Sequence, residues 1–148
     1  MKRIVYSILQ YRHSMLRNEA YGIGIVFYFP DQEDKMIFYN TSRFEDLKHI
    51  YRDIDCRMLA TYLAFIDLNV RRGKIKHYPG MPVDMELKLF LKQNVLLEDS
   101  TVLRFTDPVI ISNVDSTDLV NVLKNYVKML LSFQDGGEHN MIRNLLLQ

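Results

Sequence analysis

Three side chains of the kinds that bind anions or move protons lie close together near the N-terminus: His13, Arg17 and Glu19. They separate two runs rich in Val, Ile, Tyr and Phe, at residues 6–11 and 21–29, which predict β-strands. The connection is longer than the two-residue turn of a tight hairpin. Polar residues on a loop held by rigid strands are a usual setting for function. We therefore predict a charged corner at the end of the first hairpin.

The chemistry of this corner follows from its residue types. Arg17 would offer a planar fork of N–H donors to a carboxylate or phosphate group. Glu19 would position the ligand or act as a general base, and His13 would carry a proton. The alternative is an Arg17–Glu19 ion pair that only shapes the loop, since a surface pair contributes about 0–1 kcal/mol.

Two glycines, Gly22 and Gly24, interrupt the second run. A regular strand would place both on one face, where they would leave a bare patch of backbone. We expect a helix to pack closely on this patch; the alternative is that the patch floors a shallow ligand site reached from the charged corner. Gly22 and Gly24 therefore join His13, Arg17 and Glu19 as the candidate ligand or partner site.

Several residues around the corner also match a known sequence signature, at the same spacing. The matching positions are Tyr6, Ser7, Ile8, Leu9, Gln10, Tyr11, Arg17, Glu19, Ile23, Gly24, Ile25 and Val26. This series resembles the N-terminal signature of the bacterial domain-of-unknown-function 3037 family. The chain departs from that signature at His13, Asn18 and Gly22, where the family has proline, glycine and asparagine. Leu103-Arg104-Phe105, followed by a predicted helix from Ser116, resembles the family's ending.

The resemblance implies a partner and names no reaction. Such proteins are often encoded beside a HipA-like serine/threonine kinase, so the resemblance implies an accessory protein of the toxin–antitoxin type that tunes such a kinase. Because Gly22 replaces the signature asparagine, the resemblance carries no polar group over to that position.

Length and composition limit the remaining classes. A chain of 148 residues with 48% hydrophobic and 25% charged residues is typical of one soluble domain. Its 19 basic and 18 acidic residues nearly balance, so no net field favours nucleic acid or an anionic membrane. The single cysteine, Cys56, excludes an internal disulfide and a cysteine-based zinc site. No apolar run reaches the roughly 18–20 residues of a membrane helix. We expect a cytoplasmic protein.

The rest of the chain predicts an α+β fold. We expect an antiparallel sheet of about four to five strands, namely a three-stranded N-terminal meander plus one or two later strands, packed against about three to four helices. Ser42 and Glu45 form a capping box that begins a short helix. The following helix ends at Gly73. Its buried stripe should contain Ile54, Met58, Tyr62, Phe65 and Ile66, beside Leu59 and Leu63.

The second half of the chain predicts two more helices and a C-terminal tail. A helix from Pro82 should bury Met85, Leu89, Phe90 and Leu96. A last long helix, capped by Asp115 or Ser116, is the best candidate to cover the two glycines. We assign residues 1–135 to one domain, and residues 136–148 to a tail that is either a docking helix or an exposed partner-binding one.

One basic cluster follows the long middle helix. It contains Arg71, Arg72, Lys74, Lys76 and His77. A contact with phosphate or an acidic partner is one interpretation, but a solvated helix end is favoured because stacking aromatic residues are absent apart from Tyr78. Nucleic-acid binding is therefore the least favoured function.

Motifs for catalysis are missing. The chain contains no nucleotide-binding glycine loop, no nucleophile elbow and no zinc-binding helix, and its four histidines are scattered. We expect no cofactor and no metal. A protein-interaction module is the favoured function, with a HipA-like kinase or a second copy of the chain as partner. The alternative is an enzyme or binding protein for a phosphate- or carboxylate-bearing compound, acting through Arg17 and Glu19.

Overall fold

The computed structural model describes residues 2–13, 19–96, 102–114 and 118–147. These residues form an α+β fold in which helices cover both faces of an antiparallel sheet, which confirms the predicted fold class. The strands are β1 (Lys2–Tyr11), β2 (Tyr21–Phe29), β3 (Lys35–Asn40), β4 (Leu103–Phe105) and β5 (Val109–Val114). The sheet order is β3-β2-β1-β4, and β5 also pairs with β1. The first three strands form the predicted meander.

Strands β4 and β5 behave as one interrupted strand along β1. β4 pairs with the C-terminal end of β1, and β5 pairs with its N-terminal half. Between them the Ser7 hydroxyl donates to the Thr106 carbonyl at 2.5 Å, and the Thr106 hydroxyl accepts from the Ile8 amide at 2.9 Å. The interruption coincides with Pro108, which has no N–H to donate to a ladder. Side chains thus satisfy the polar groups of the break.

Strand β2 contains a one-residue bulge at Ile23. Leu9 pairs with Gly24, but the next residue of β1, Gln10, pairs with Gly22, so Ile23 is the extra residue. A bulge shifts the alternation of side chains by one position. The even-numbered residues before and after Ile23 therefore point to opposite faces of the sheet.

The bulge overturns one prediction about the glycines. Ile23 packs in the same cluster as Phe38, whereas Ile25 packs on the other face of the sheet. A Cβ at Gly22 would meet α-helical backbone on that other face, whereas a Cβ at Gly24 would meet the ring of Phe38. The prediction that Gly22 and Gly24 share one face is wrong, because it assumed unbroken alternation through the strand.

The first face of the sheet is covered by α1 (Cys56–Arg72) and α2 (Val83–Phe90), which continues as a π-helical turn over Leu91–Val95. Helix α1 begins at Asp55, whose carboxylate accepts from the Met58 amide at 3.0 Å. It ends at Gly73, where a Cβ would lie 2.2 Å from the ring of Phe90. Glycine is required there by the close approach of α2, since its φ of −76° suits any residue.

The apolar stripe predicted on α1 is only partly core. The side chains that it buries are Leu59, Leu63, Ile66 and Val70. Met58, Tyr62 and Phe65 are instead 47%, 38% and 57% exposed. Both sets recur at helical spacing, so the pattern could not tell them apart, and the sheet covers only one of them. The same correction applies to Met85 of α2, which is exposed while Glu86 and Leu87 are buried.

The second face is covered by α3 (Leu119–Leu130) and α4 (Glu138–Leu147). Leu123 and Val127 of α3 are buried, and Ile142 of α4 is fully buried beside them. The residues predicted to cap α3, Asp115 and Ser116, lie outside the described part of the chain. The C-terminal segment therefore includes a helix that packs on the sheet.

The short helix after β3 is a 3₁₀ segment, Ser42–His49. Its cap is Thr41, whose hydroxyl accepts from the Arg43 amide at 3.1 Å, and not Ser42 as predicted. The capping-box spacing located the start of the helix to within one residue. No helix in the described ranges is long and apolar enough to cross a bilayer.

Candidate functional site

The predicted charged corner lies at the open end of the β1–β2 hairpin. The cross-strand pair Tyr11–Tyr21 closes the ladder there, and His13 and Glu19 follow and precede it in the chain. Arg17, a central residue of the prediction, lies outside the described residues. The structure therefore tests the surroundings of His13 and Glu19.

His13 bridges two groups that lie far apart in the sequence. Its Nδ1 lies 2.8 Å from the Tyr11 hydroxyl, and its Nε2 lies 2.9 Å from Oδ1 of Asp53. A carboxylate can only accept, so Nε2 carries a proton, and in the neutral ring Nδ1 accepts from the tyrosine. Burial, together with the carboxylate of Asp53, raises the pKa of Tyr11. The result is a hydrogen-bonded chain from a buried phenol to an exposed carboxylate.

Glu19 is held by Tyr51 from the segment that precedes α1. The Tyr51 hydroxyl donates to Oε2 of Glu19 at 2.8 Å, and the Tyr51 ring is almost completely buried. Burial first, and this hydrogen bond second, raise the pKa of Tyr51 to about 12. Tyr51 is therefore a neutral donor at physiological pH, and the alternative of an Arg17–Glu19 pair is not needed to give Glu19 a partner.

Aromatic rings bind the corner together. The His13 ring stacks on Tyr51 with centroids 4.1 Å apart, and Tyr21 meets Tyr51 edge-on at 6.1 Å. Phe133, in the segment between α3 and α4, lies against Tyr21 with centroids 6.2 Å apart. We call Tyr11, His13, Glu19, Tyr21, Tyr51 and Asp53 the hairpin-corner cluster. The sequence could not predict that the cluster's three tyrosines come together, because they belong to separate segments and no fixed spacing links residues 11, 21 and 51.

The charge of the hairpin-corner cluster bears on its ligand. Its two exposed ionisable groups are the carboxylates of Glu19 and Asp53. Carboxylates repel an anion, so the described part of the cluster supplies no clamp for phosphate, and an anion site would depend on Arg17. Among the described residues, no group of three or more His, Cys, Asp or Glu side chains could hold a metal ion.

The two glycines of the candidate site serve close packing. A Cβ at Gly22 would lie 2.8 Å from the carbonyl oxygen of Leu130, at the end of α3. The Gly22 amide also donates to the Ser132 hydroxyl at 3.0 Å, and the Ser132 amide donates back to the Gly22 carbonyl at 2.9 Å. At Gly24 a Cβ would lie 2.9 Å from the ring of Phe38. Helix α3, the long helix predicted to cover both glycines, therefore reaches Gly22 but not Gly24.

The predicted basic cluster is divided by its interactions. Arg71 pairs with Asp67 one turn earlier, at 3.2 Å. His77 leaves the cluster entirely, since its two ring nitrogens face carboxylates: Nε2 lies 2.6 Å from Asp34 and Nδ1 lies 3.1 Å from Glu86. These two hydrogen bonds raise the pKa of His77. The imidazole therefore ties the β2–β3 turn to α2, a role that the sequence did not reveal.

Two recesses beside β3 were also not predicted. One, of about 820 Å³, is lined by residues 32–38, by the end of α1 and by Leu145. The other, of about 280 Å³, is lined by residues 38–40 and by α1 and α4. Both include Phe38, Asp67, Arg71 and Leu145, so they form one trench along β3. We call it the β3 trench.

Comparisons with known proteins returned no relative. No protein-family model matches the chain. No curated protein and no solved structure matches it either.

Proposed function

We propose that the protein is an interaction module that binds a partner protein through the outer side of α1. The observation that carries this proposal is the exposure of Met58, Tyr62 and Phe65, at 47%, 38% and 57%. Large apolar side chains that share one exposed face mark binding surfaces, because leaving them in water forgoes the free energy of their burial. We call these three residues the α1 stripe.

The α1 stripe is a surface of its own and not the margin of the core. With 3.6 residues per turn, its members lie on one line, about 100° around the helix from the buried stripe. Leu68, which follows Phe65 by one turn, is 38% exposed and extends the apolar area. Spacing of four and three residues suits insertion of the stripe into a partner's apolar groove or against a partner helix. Aromatic and methionine side chains are also enriched in the centres of protein interfaces.

The first partner to test is a HipA-like kinase. The resemblance of residues 6–26 to a family often encoded next to such kinases supports this choice, and binding would let the module tune kinase activity. Nothing in the proposal requires catalysis by the module itself.

The test is retention of the kinase by tagged wild-type and variant protein after co-expression. We expect Met58→Glu with Phe65→Glu to reduce retention at least tenfold, because two charges would enter the apolar contact. Met129→Glu is the matched control, since Met129 is 69% exposed on α3, which packs on the opposite face of the sheet. Thermal unfolding must show that all variants are folded. Equal retention by the stripe variant and the control would reject the proposal.

A second candidate function is suggested by the chain from Tyr11 through His13 to Asp53. A histidine held between a carboxylate and a phenol is arranged to accept or release a proton, as in a general acid–base site. Glu19 would assist in positioning, and Arg17 would clamp a phosphate or carboxylate. The arrangement ranks second because the Tyr11 side chain is buried and the open groups are anionic.

This alternative has its own experiment. Binding of inorganic phosphate, sugar phosphates or dicarboxylates should raise the melting temperature of the wild-type protein but not of the Arg17→Ala, Glu19→Ala double variant. Arg12→Ala serves as the control for loss of a neighbouring positive charge. Equal thermal shifts in the wild type and the double variant would exclude a site at the corner.

A further inference from the structure

The edge strand β3 keeps a row of backbone groups without a strand partner. Among the described residues β3 pairs only with β2, and the Thr41 amide donates to the Ile23 carbonyl at 2.9 Å. Residue pairs in an antiparallel ladder alternate between hydrogen-bonded and non-hydrogen-bonded, so the odd-numbered residues of β3 form backbone hydrogen bonds with β2. The amides and carbonyls of Met36, Phe38 and Asn40 therefore point to the outer edge. Such an edge is a template for one more strand.

The β3 trench gives this edge a shape that selects a single extended chain. Residues of α1, including Asp67 and Arg71, line one side, and residues of α4, including Leu145, line the other. Although β3 is an edge strand, Phe38 is only 3% exposed, so the edge lies below the level of the two helices. The trench follows residues 36–40 of β3, so an added strand would lie between α1 and α4.

The two walls differ chemically. On the α4 side, Met141 and Leu145 are apolar, and Met141 is 40% exposed. On the α1 side, Arg71 is paired with Asp67, whereas Lys74 makes no ion pair within the described part of the chain. Glu33 and Lys35, of opposite charge, line the trench where β3 begins. The nearby carboxylate of Asp34 is already held by Tyr28 and His77. Because side chains of an added strand alternate between the walls, an acidic residue would face α1 while an apolar one faces α4.

We propose that the β3 trench binds an extended peptide segment of a partner protein, with alternating acidic and apolar residues, as an added strand on β3. This inference rests on the proposed role as an interaction module. The α1 stripe would contact one part of the partner, and the β3 trench would bind a second part, the extended segment. Main-chain hydrogen bonds to residues 36, 38 and 40 would provide affinity, and the two walls would provide specificity.

The probe is a fluorescein-labelled, end-capped hexapeptide of alternating Glu and Val. Its binding is measured by fluorescence anisotropy, and the Met36, Phe38 and Asn40 amides are followed by hydrogen exchange. We expect binding, slower exchange at those three amides, and at least tenfold weaker binding of the Lys–Val analogue. Of two analogues, N-methylated at every Glu or at every Val, one should bind and the other should not, since only one edge of the peptide faces β3. Absence of binding, or equal binding of both analogues, would overturn the proposal.

Matched variants locate the contact. Arg71→Glu combined with Lys74→Glu should weaken binding at least tenfold, whereas Arg72→Glu, on the exposed neighbour that does not line the trench, should leave it within about twofold. Unchanged binding in the double variant would overturn the assignment. So would a dimer in sedimentation that Arg71→Glu dissociates, because the occupant would then be a second copy.

The two experiments distinguish failure of the trench proposal from failure of the proposed kinase contact. If the peptide fails to bind but the α1 stripe variant still loses the kinase, only the trench assignment is wrong. If the peptide binds with the expected pattern but the kinase is retained equally by stripe variant and control, the trench stands and the proposed kinase contact falls.

Discussion

The imidazole of His13 lies flat on the ring of Tyr51, with centroids 4.1 Å apart and planes 9° from parallel. This contact joins the end of β1 to the segment that leads into α1. Tyr51 also donates to Glu19, so one side chain secures both ends of the described hairpin corner. The corner is therefore held mainly by an aromatic ring, to which the hydroxyl adds one hydrogen bond.

The first prediction separates the ring of Tyr51 from its hydroxyl. Tyr51→Phe keeps the stack and should cost about 0.5–1.5 kcal/mol, the usual net contribution of one hydrogen bond. Tyr51→Ala also removes the buried ring and should cost about 3–5 kcal/mol. Urea denaturation measures both. If the two variants lost the same free energy of unfolding, the hydroxyl and not the ring would be the main support of the corner.

The second prediction concerns the bulge that separates the two glycines. Gly22→Ala should cost about 1–3 kcal/mol, since the new methyl group would press on the backbone of Leu130, which cannot move alone. Gly24→Ala should cost less, because the ring of Phe38 can tilt away. The control is Gly137→Ala, which has nothing within 4 Å and should change stability little.

The double glycine variant tests the two-face assignment. The positions lie on opposite faces, so the costs of Gly22→Ala and Gly24→Ala should add to within about 0.5 kcal/mol. A strong interaction between the two substitutions in the same denaturation assay would mean that they are coupled, through a shared face or through the backbone of the bulge between them.

These glycines show what the sequence could and could not predict. The strands were predictable because β-branched and aromatic residues alternate with a period of two, and the helices because apolar residues recur at three to four. The bulge at Ile23 was indicated only indirectly, because glycines inside a strand often mark a bulge. Its position and its effect on the two faces are fixed by pairing with β1. The exposure of the α1 stripe was hidden for a related reason, since periodicity shows that residues share a face but not which face the sheet covers.

Some residues of the candidate site could be predicted from the sequence and others could not. His13 and Glu19 could be selected because polar residues between two strands stand out locally. Their partners Asp53 and Tyr51 could not, since they meet the corner only after α1 packs on the sheet. The β3 trench likewise arises from three elements, none of which indicates a groove by itself.

The third prediction uses the bridge made by His77. Its pKa is raised in the folded state by hydrogen bonds to Asp34 and Glu86. The bridge therefore contributes its full stability below the unfolded pKa of roughly 6.5, and this contribution is lost as the pH rises through the higher folded value. The pKa of Asp34 is lowered in part by the same bond, so its own contribution is lost only as the pH falls through that lowered value in acid.

The expected result is a free energy of unfolding that declines above about pH 6.5 in the wild type. His77→Gln should flatten the curve in this range, measured by urea denaturation at several pH values. His49→Gln is the control, because His49 is exposed and makes no hydrogen bond or ion pair within the described residues. A decline that persists in His77→Gln would place the titrating group elsewhere.

The fourth prediction concerns Asp135, which gathers donors from the segment after β3. Its carboxylate accepts from the Tyr39 hydroxyl at 2.5 Å, the Thr41 hydroxyl at 2.9 Å and the Ser42 amide at 3.0 Å. These bonds help to hold the pKa of Asp135 below its usual value, and burial with the same carboxylate raises the pKa of Tyr39. The loop between α3 and α4 is thereby fastened to the edge strand.

Asp135→Ala should leave the buried Tyr39 and Thr41 hydroxyls without their acceptor, at about 1–3 kcal/mol for each unsatisfied group. Tyr39→Phe in that background should recover part of the loss, because an apolar ring needs no acceptor, so the double variant should be more stable than the sum of the single costs implies. Asp118→Ala, at an exposed carboxylate that bonds only to Asn121 among the described residues, should cost little. Differential scanning calorimetry distinguishes the cases: additive costs for Asp135→Ala and Tyr39→Phe would mean that the two groups act independently, against the geometry.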